Sequence, residues 1–153
     1  MNNDTINEML DYTRDGIWED LIAGLPANVA VAKKYKLGLV CYEGGQNLAT
    51  ENDGNGQNDS HYNLTQLTIL ANSHPRMRSI YKESFYYFST LSPGSLFNHF
   101  SYMGRGGKYG NWGLTQWQDQ QIGVPTPESA PKYAALYEIW QAQGLAPPPP
   151  PSR

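Results

Sequence analysis

Five consecutive residues, Tyr42-Glu43-Gly44-Gly45-Gln46, combine an acid with two glycines directly after an apolar run. A carboxylate in such a place can act as a nucleophile or carry a proton. The glycines let the backbone turn sharply and let a ligand come close. Tyr42 could hold the acid by a hydrogen bond, and Gln46 could support it. The competing reading is a solvated strand-end acid followed by an ordinary Gly-Gly turn.

A second set lies further on: Tyr102, Arg105, Lys108, Tyr109, Asn111, Trp112, Gln116, Trp117 and Asp119. Indole and phenol rings offer flat apolar faces with polar tips, which suits sugar rings. Amide and carboxyl groups between them can bond hydroxyls. The alternative is a loop that packs its own aromatics over a helix end. A third pair, Asn98-His99, must send its two side chains to opposite sides of a strand. The pleat alone does not say which one points inward. Residues 51–59 have the oxygen-rich look of a calcium loop. They fail the EF-hand pattern, because Glu would stand first and Tyr62 last. His61 and His74 lack ligand spacing, so no metal site is expected. The single cysteine, Cys41, sits in an apolar run and reads as a small core residue. No cofactor motif is present.

These residues need elements to hold them. Ile6, Met9, Leu10, Thr13, Ile17 and Leu21 recur at helical spacing after a capping Asp4 or Thr5, with Gly24 and Pro26 as punctuation. A second helix is expected from Ala27 to Lys36, with lysines at its negative end. Leu37–Tyr42 is a short, nearly continuous apolar run, which predicts a strand buried on both faces, as in a parallel sheet. Further helices are expected from Asn63 to Asn72, from Pro75 through Phe88, and from Pro131 through Trp140. Ser95–Ser101 is the second strand candidate. Long polar and aromatic loops follow both strands, on the side where βα architectures bind ligands. Pro147–Pro151 is a stiff tail or linker. The domain is expected over residues 1–145 and the proline-rich tail over 146–153.

The 153-residue chain can bury about 70% of its unfolded surface, so one domain with a true core is expected. Its formal charge of -3 argues against a nucleic-acid partner. No apolar run approaches the ~18 residues of a membrane-spanning helix. The N-terminus lacks the pattern of a secretory signal. Charged residues make up only 16%, while 11 Tyr and 4 Trp fit a glycan-binding surface as well as an aromatic core.

Five segments carry a resemblance. Leu39-Val40-Cys41-Tyr42-Glu43-Gly44-Gly45-Gln46-Asn47-Leu48 resembles a segment of bacterial proteins with a clan A glycoside-hydrolase-like barrel, often labelled cellulose-binding. Asn72-Ser73-His74-Pro75-Arg76-Met77, Leu96-Phe97-Asn98-His99-Phe100, Lys108-Tyr109-Gly110-Asn111-Trp112-Gly113 and Pro131-Lys132-Tyr133 are similar to later segments of that group, in the same order. Asn47 stands where that group has His, and Tyr109 where it has Trp. The resemblance implies an α/β fold, a partial (β/α) barrel-like unit of about two parallel strands with flanking helices and long loops. It implies a hydrolase-like segment acting on or binding a polysaccharide, with Glu43 as the nucleophile of a retaining mechanism. Tyr42, Gln46, His99, Tyr102, Trp112 and Trp117 would contact substrate, and an extracellular setting is implied. A whole barrel has eight strands, and the acid/base partner that ends the fourth has no counterpart in this chain. Retaining hydrolysis needs two carboxyls ~5–5.5 Å apart; Glu51 and Asp119 are the available acids. The alternatives are completion by further barrel segments or self-association, or a non-catalytic carbohydrate-binding or structural module of an extracellular or virion assembly.

Overall fold

The computed structural model describes residues 3–50, 62–117, 120 and 128–144. Helix α1 spans Asn3–Ile17 and buries Leu10 and Ile17. The coil then widens into a π-helical segment, Trp18–Gly24, and continues as α2, Leu25–Lys34. The punctuation at Gly24 and Pro26 therefore does not break the chain. Pro26 lies at the start of α2, where its missing N–H costs little and a widened turn relieves the clash of its ring with the preceding coil. The helix stops at Lys34, short of the expected Lys36, which takes a left-handed φ of 56°.

Strand β1 is Val40–Gly44 and β2 is Leu96–His99; they pair in parallel. Val40 lies opposite Leu96, Cys41 opposite Phe97 and Gly44 opposite His99, so β1 carries an extra residue between Cys41 and Gly44. Cys41 and Phe97 pack against Leu25, Val29 and Phe88. The other face is open: Val40, Tyr42 and Leu96 are 60%, 74% and 66% exposed. The strand expected to be buried on both faces is thus covered on one. An apolar run announces a strand but does not reveal how many layers cover it.

Helix α3, Tyr62–Asn72, precedes α4, Arg76–Leu91, with Pro75 at the N-cap of α4; α5, Pro131–Ala142, follows the long loop after β2. These bounds agree with the helical spacing in the sequence. The main core joins Leu10, Ala71, Met77, Ile80, Leu114, Tyr133, Ala135 and Leu136. Arg14 pairs with Glu83 at 2.8 Å, and Arg76 pairs with Asp11, fastening α1 to α4. Arg78 and Lys82 share Glu138, fastening α4 to α5. Each partly exposed pair adds about 0–1 kcal/mol, so apolar packing dominates. Among the described residues no helix is long and apolar enough to cross a membrane.

The loop after β2 is ordered by its own backbone. Leu114 and Thr115 donate to Ser101 and Tyr102 carbonyls at 2.9 and 3.2 Å, and Gly104 donates to Thr115 at 3.0 Å. Gly107 and Gly110 exchange a pair of bonds at the tip, each 3.1 Å. The segment is a closed loop that returns to its origin, a shape common in functional loops. The oxygen-rich segment 51–59, His61, Asp119 and the proline tail lie outside the described residues.

Candidate functional site at the carboxyl ends of β1 and β2

The extra residue in β1 decides what the Tyr42–Gln46 run presents. A bulge lets two neighbouring side chains lie on the exposed side, and Tyr42 and Glu43 are both exposed. The expected hydrogen bond from Tyr42 to Glu43 is not made. The Tyr42 carbonyl instead accepts from Asn98 Nδ2 at 2.8 Å. Among the described residues no side chain bonds the Glu43 carboxylate. Gly44 and Gly45 are fixed by crowding. A Cβ on Gly44 would lie 2.2 Å from Phe97, and one on Gly45, at φ 137°, would lie 2.9 Å from His99 Nε2.

Gln46 turns the other way. Its Nε2 donates to Asn72 Oδ1 at 3.0 Å and to the Asn111 carbonyl at 2.6 Å. Its Oε1 accepts from the Leu48 N–H at 2.5 Å. Asn111, fully buried, donates from Nδ2 to the Leu48 carbonyl at 2.8 Å and to Thr68 Oγ1 at 3.3 Å. Lys132 is 1% exposed and donates to the same Asn111 carbonyl at 2.7 Å, with its Nζ 5.8 Å from the centre of the Tyr81 ring. The Tyr81 hydroxyl is bonded to His99 Nε2 at 2.9 Å and accepts from the Gln46 N–H at 3.4 Å. His99 therefore faces inward and Asn98 outward, which settles the choice the pleat left open.

Burial sets the protonation of this interior network. It pulls the Lys132 amine down to about 7. It holds His99 down at about 4, with the nearby Lys132 charge adding to the effect. It pushes the Tyr81 hydroxyl up from its usual value. The Cys41 thiol is also raised by burial, which fits a packing residue and not a nucleophile. The network is neutral near physiological pH apart from Lys132, which titrates there. The described residues contain no cluster of His, Cys, Asp or Glu able to hold a metal.

The outward residues form the rim. Trp112 is half-buried; its Nε1 donates to Asn47 Oδ1 at 3.0 Å and its ring lies 5.6 Å from Phe100. Gly110 makes room for it, since a Cβ there would lie 2.3 Å from the indole. Tyr109 and Trp117 are largely exposed, 60% and 48%. Tyr102, half-exposed, meets Tyr133 edge-on at 6.2 Å. A depression of about 180 Å³ sits in the rim between Ser101, Arg105, Tyr109 and Trp112. A larger groove of about 800 Å³ runs between α4, α5 and β2, lined by Phe85, Phe88, Phe97, Leu136, Ile139 and Trp140. Its walls are largely apolar, and it reaches the site at Asn98, His99 and Tyr102.

The structure thus leaves Glu43 exposed at the end of β1, ties Trp112 to Asn47 just beyond it, and assigns Gln46 and His99 to the interior. Tyr81, Asn72 and Lys132 belong to that interior; none stood out as a site residue in the sequence, although Asn72 and Lys132 lie in segments that carry the resemblance. Lys132 had one faint clue, a cation at a helix start, where the dipole disfavours it. No family model, no curated protein and no solved structure matches the chain.

Proposed function

We propose that the chain is a glycoside hydrolase-like segment that acts on or binds a polysaccharide at the carboxyl ends of β1 and β2. The observation that carries the reading is an exposed Glu43 on a bulged strand end, its carboxylate bonded by no side chain among the described residues, four positions before Asn47, which holds the Trp112 indole by a hydrogen bond of 3.0 Å. In the hydrolase reading Glu43 is the nucleophile that attacks the anomeric carbon, and Trp112 and Trp117 stack on neighbouring sugar rings. The proton donor for the leaving group comes from another carboxyl. Among the described residues the two parallel strands pair only with each other, which leaves backbone groups unpaired along both outer edges. Further barrel segments or a second copy would cover those edges and the open face of Val40, Tyr42 and Leu96, and could bring that carboxyl.

A non-catalytic carbohydrate-binding module is the second reading. It is favoured by the inward turn of Gln46 and His99, which leaves Glu43, among the described residues, without the supports an activated nucleophile needs. A polysaccharide panel with the parent chain and Glu43→Gln, reading binding and sugar release separately, distinguishes the two. Release that vanishes in Glu43→Gln supports the hydrolase. Binding that persists in Glu43→Gln with no release from either protein supports the module. A folded chain that binds no glycan overturns both.

A further inference from the structure

The depression in the rim has a chemistry of its own. Segment 101–117 carries two cations, Arg105 and Lys108, and no acid, in a chain whose net charge is -3. Arg105 is exposed, lines the depression, and meets no acid among the described residues. Its guanidinium is a planar fork that matches a carboxylate with two parallel hydrogen bonds. Beside it stand the Trp112 and Tyr109 rings and the Ser101 hydroxyl. The remaining wall is glycine backbone, which a ligand can approach closely. The wall is held in shape by crowding: a Cβ on Gly113 would lie 2.3 Å from the Gly104 nitrogen. At about 180 Å³ the space is smaller than the ~300–1,000 Å³ of drug-sized sites, so it suits a single ring.

We infer that this depression is a subsite for an acidic sugar, with Arg105 holding the carboxylate of a uronic-acid unit while Trp112 or Tyr109 supports its ring. The inference rests on the glycan reading above and names the substrate class for it: a polyuronide or a uronate-bearing polysaccharide. Stacking alone accepts any sugar with an apolar face. A guanidinium adds selection, because a neutral ring leaves the Arg105 fork unsatisfied whereas a carboxylate pairs with it. The attraction is between exposed charges, so it weakens with salt.

The test uses the full chain and three probes: a galacturonic-acid trisaccharide, its methyl ester, and a neutral galactose trisaccharide. Binding is measured by calorimetry at low and high salt, for the parent chain, Arg105→Gln and Arg105→Lys. The expected result is about tenfold tighter binding of the free acid than of its ester. That preference disappears in Arg105→Gln, survives in part in Arg105→Lys, and shrinks at high salt, while neutral-sugar binding stays within about twofold. Equal binding of acid and ester, or a preference that survives Arg105→Gln, overturns the acidic-sugar inference and leaves glycan binding standing. No binding of any of the three probes, by chains that remain folded, overturns this inference and counts against the glycan reading as well.

Discussion

Glu43 and Gln46 are three positions apart, yet they serve two different regions. The rim, with Glu43, Tyr109, Arg105 and Trp112, is solvent-facing, and its Glu43 and Arg105 side chains have no ion-pair partner among the described residues. The interior, with Gln46, Asn111, Lys132, Tyr81 and His99, is closed and held by a chain of hydrogen bonds. One strand feeds both through a single extra residue that turns Glu43 out, followed by two glycines that let the chain dive inward to Gln46. The contrast separates two meanings of a polar motif. Gln46 and Asn111 serve as scaffold that fixes the loop after β2, and that loop in turn presents the rim. Stability should therefore reside in the interior and ligand binding at the rim.

The largest expected effect is on the interior and depends on pH. The folded chain releases the Lys132 proton near pH 7, whereas the unfolded chain keeps it to about 10.5. The unfolded state binds more protons in between, so stability rises with pH across that window, by roughly 3–5 kcal/mol. Above pH ~10 the rise reverses, because the unfolded chain ionises tyrosines that burial keeps neutral at Tyr81 and Tyr133. Denaturant titrations between about pH 6 and 10 should show the slope in the parent and a nearly flat profile in Lys132→Met. A sloping profile in Lys132→Met would assign the effect elsewhere. His99 adds a similar rise at lower pH, between about 4 and its unfolded value near 6.5.

Next in size is Asn111→Ala, which leaves the buried Leu48 carbonyl without its donor and opens a cavity. The expected loss is roughly 2–4 kcal/mol, read as a lower denaturation midpoint. Rim residues should behave in the opposite way. Trp112→Ala should cost about tenfold in glycan affinity, with a smaller change in stability than Asn111→Ala. The smallest effect on stability is expected for Glu43→Gln, within about 0.5 kcal/mol of the parent. A large stability change there would show that Glu43 is part of the scaffold and erase the contrast.

The sequence made part of this legible. Helical spacing located α3, α4 and α5, whose boundaries are marked by Pro75, Pro93-Gly94 and Pro131. The apolar run Leu37–Tyr42 and the candidate Ser95–Ser101 located the strands, and the helices between them fit the parallel pairing. The bulge was not legible, because it depends on how five residues of β1 meet four of β2, more than fifty positions away. The open face of Val40, Tyr42 and Leu96 was hidden for the same reason, since burial depends on which layers arrive. The burial of Lys132 was hidden too. A lysine at a helix start reads as a surface residue until Asn111 and Tyr81 are seen around it.

Glycan binding at the rim, with the interior only as its support, is what we propose for this chain. The most direct measurement is a map of backbone amide shifts during titration with an oligosaccharide that the panel selects. Shifts should concentrate at Glu43–Asn47 and Ser101–Gly113, with the apolar groove between α4 and α5 unchanged. Shifts centred on Phe85, Ile139 and Trp140 in that groove, with the rim silent, would contradict it.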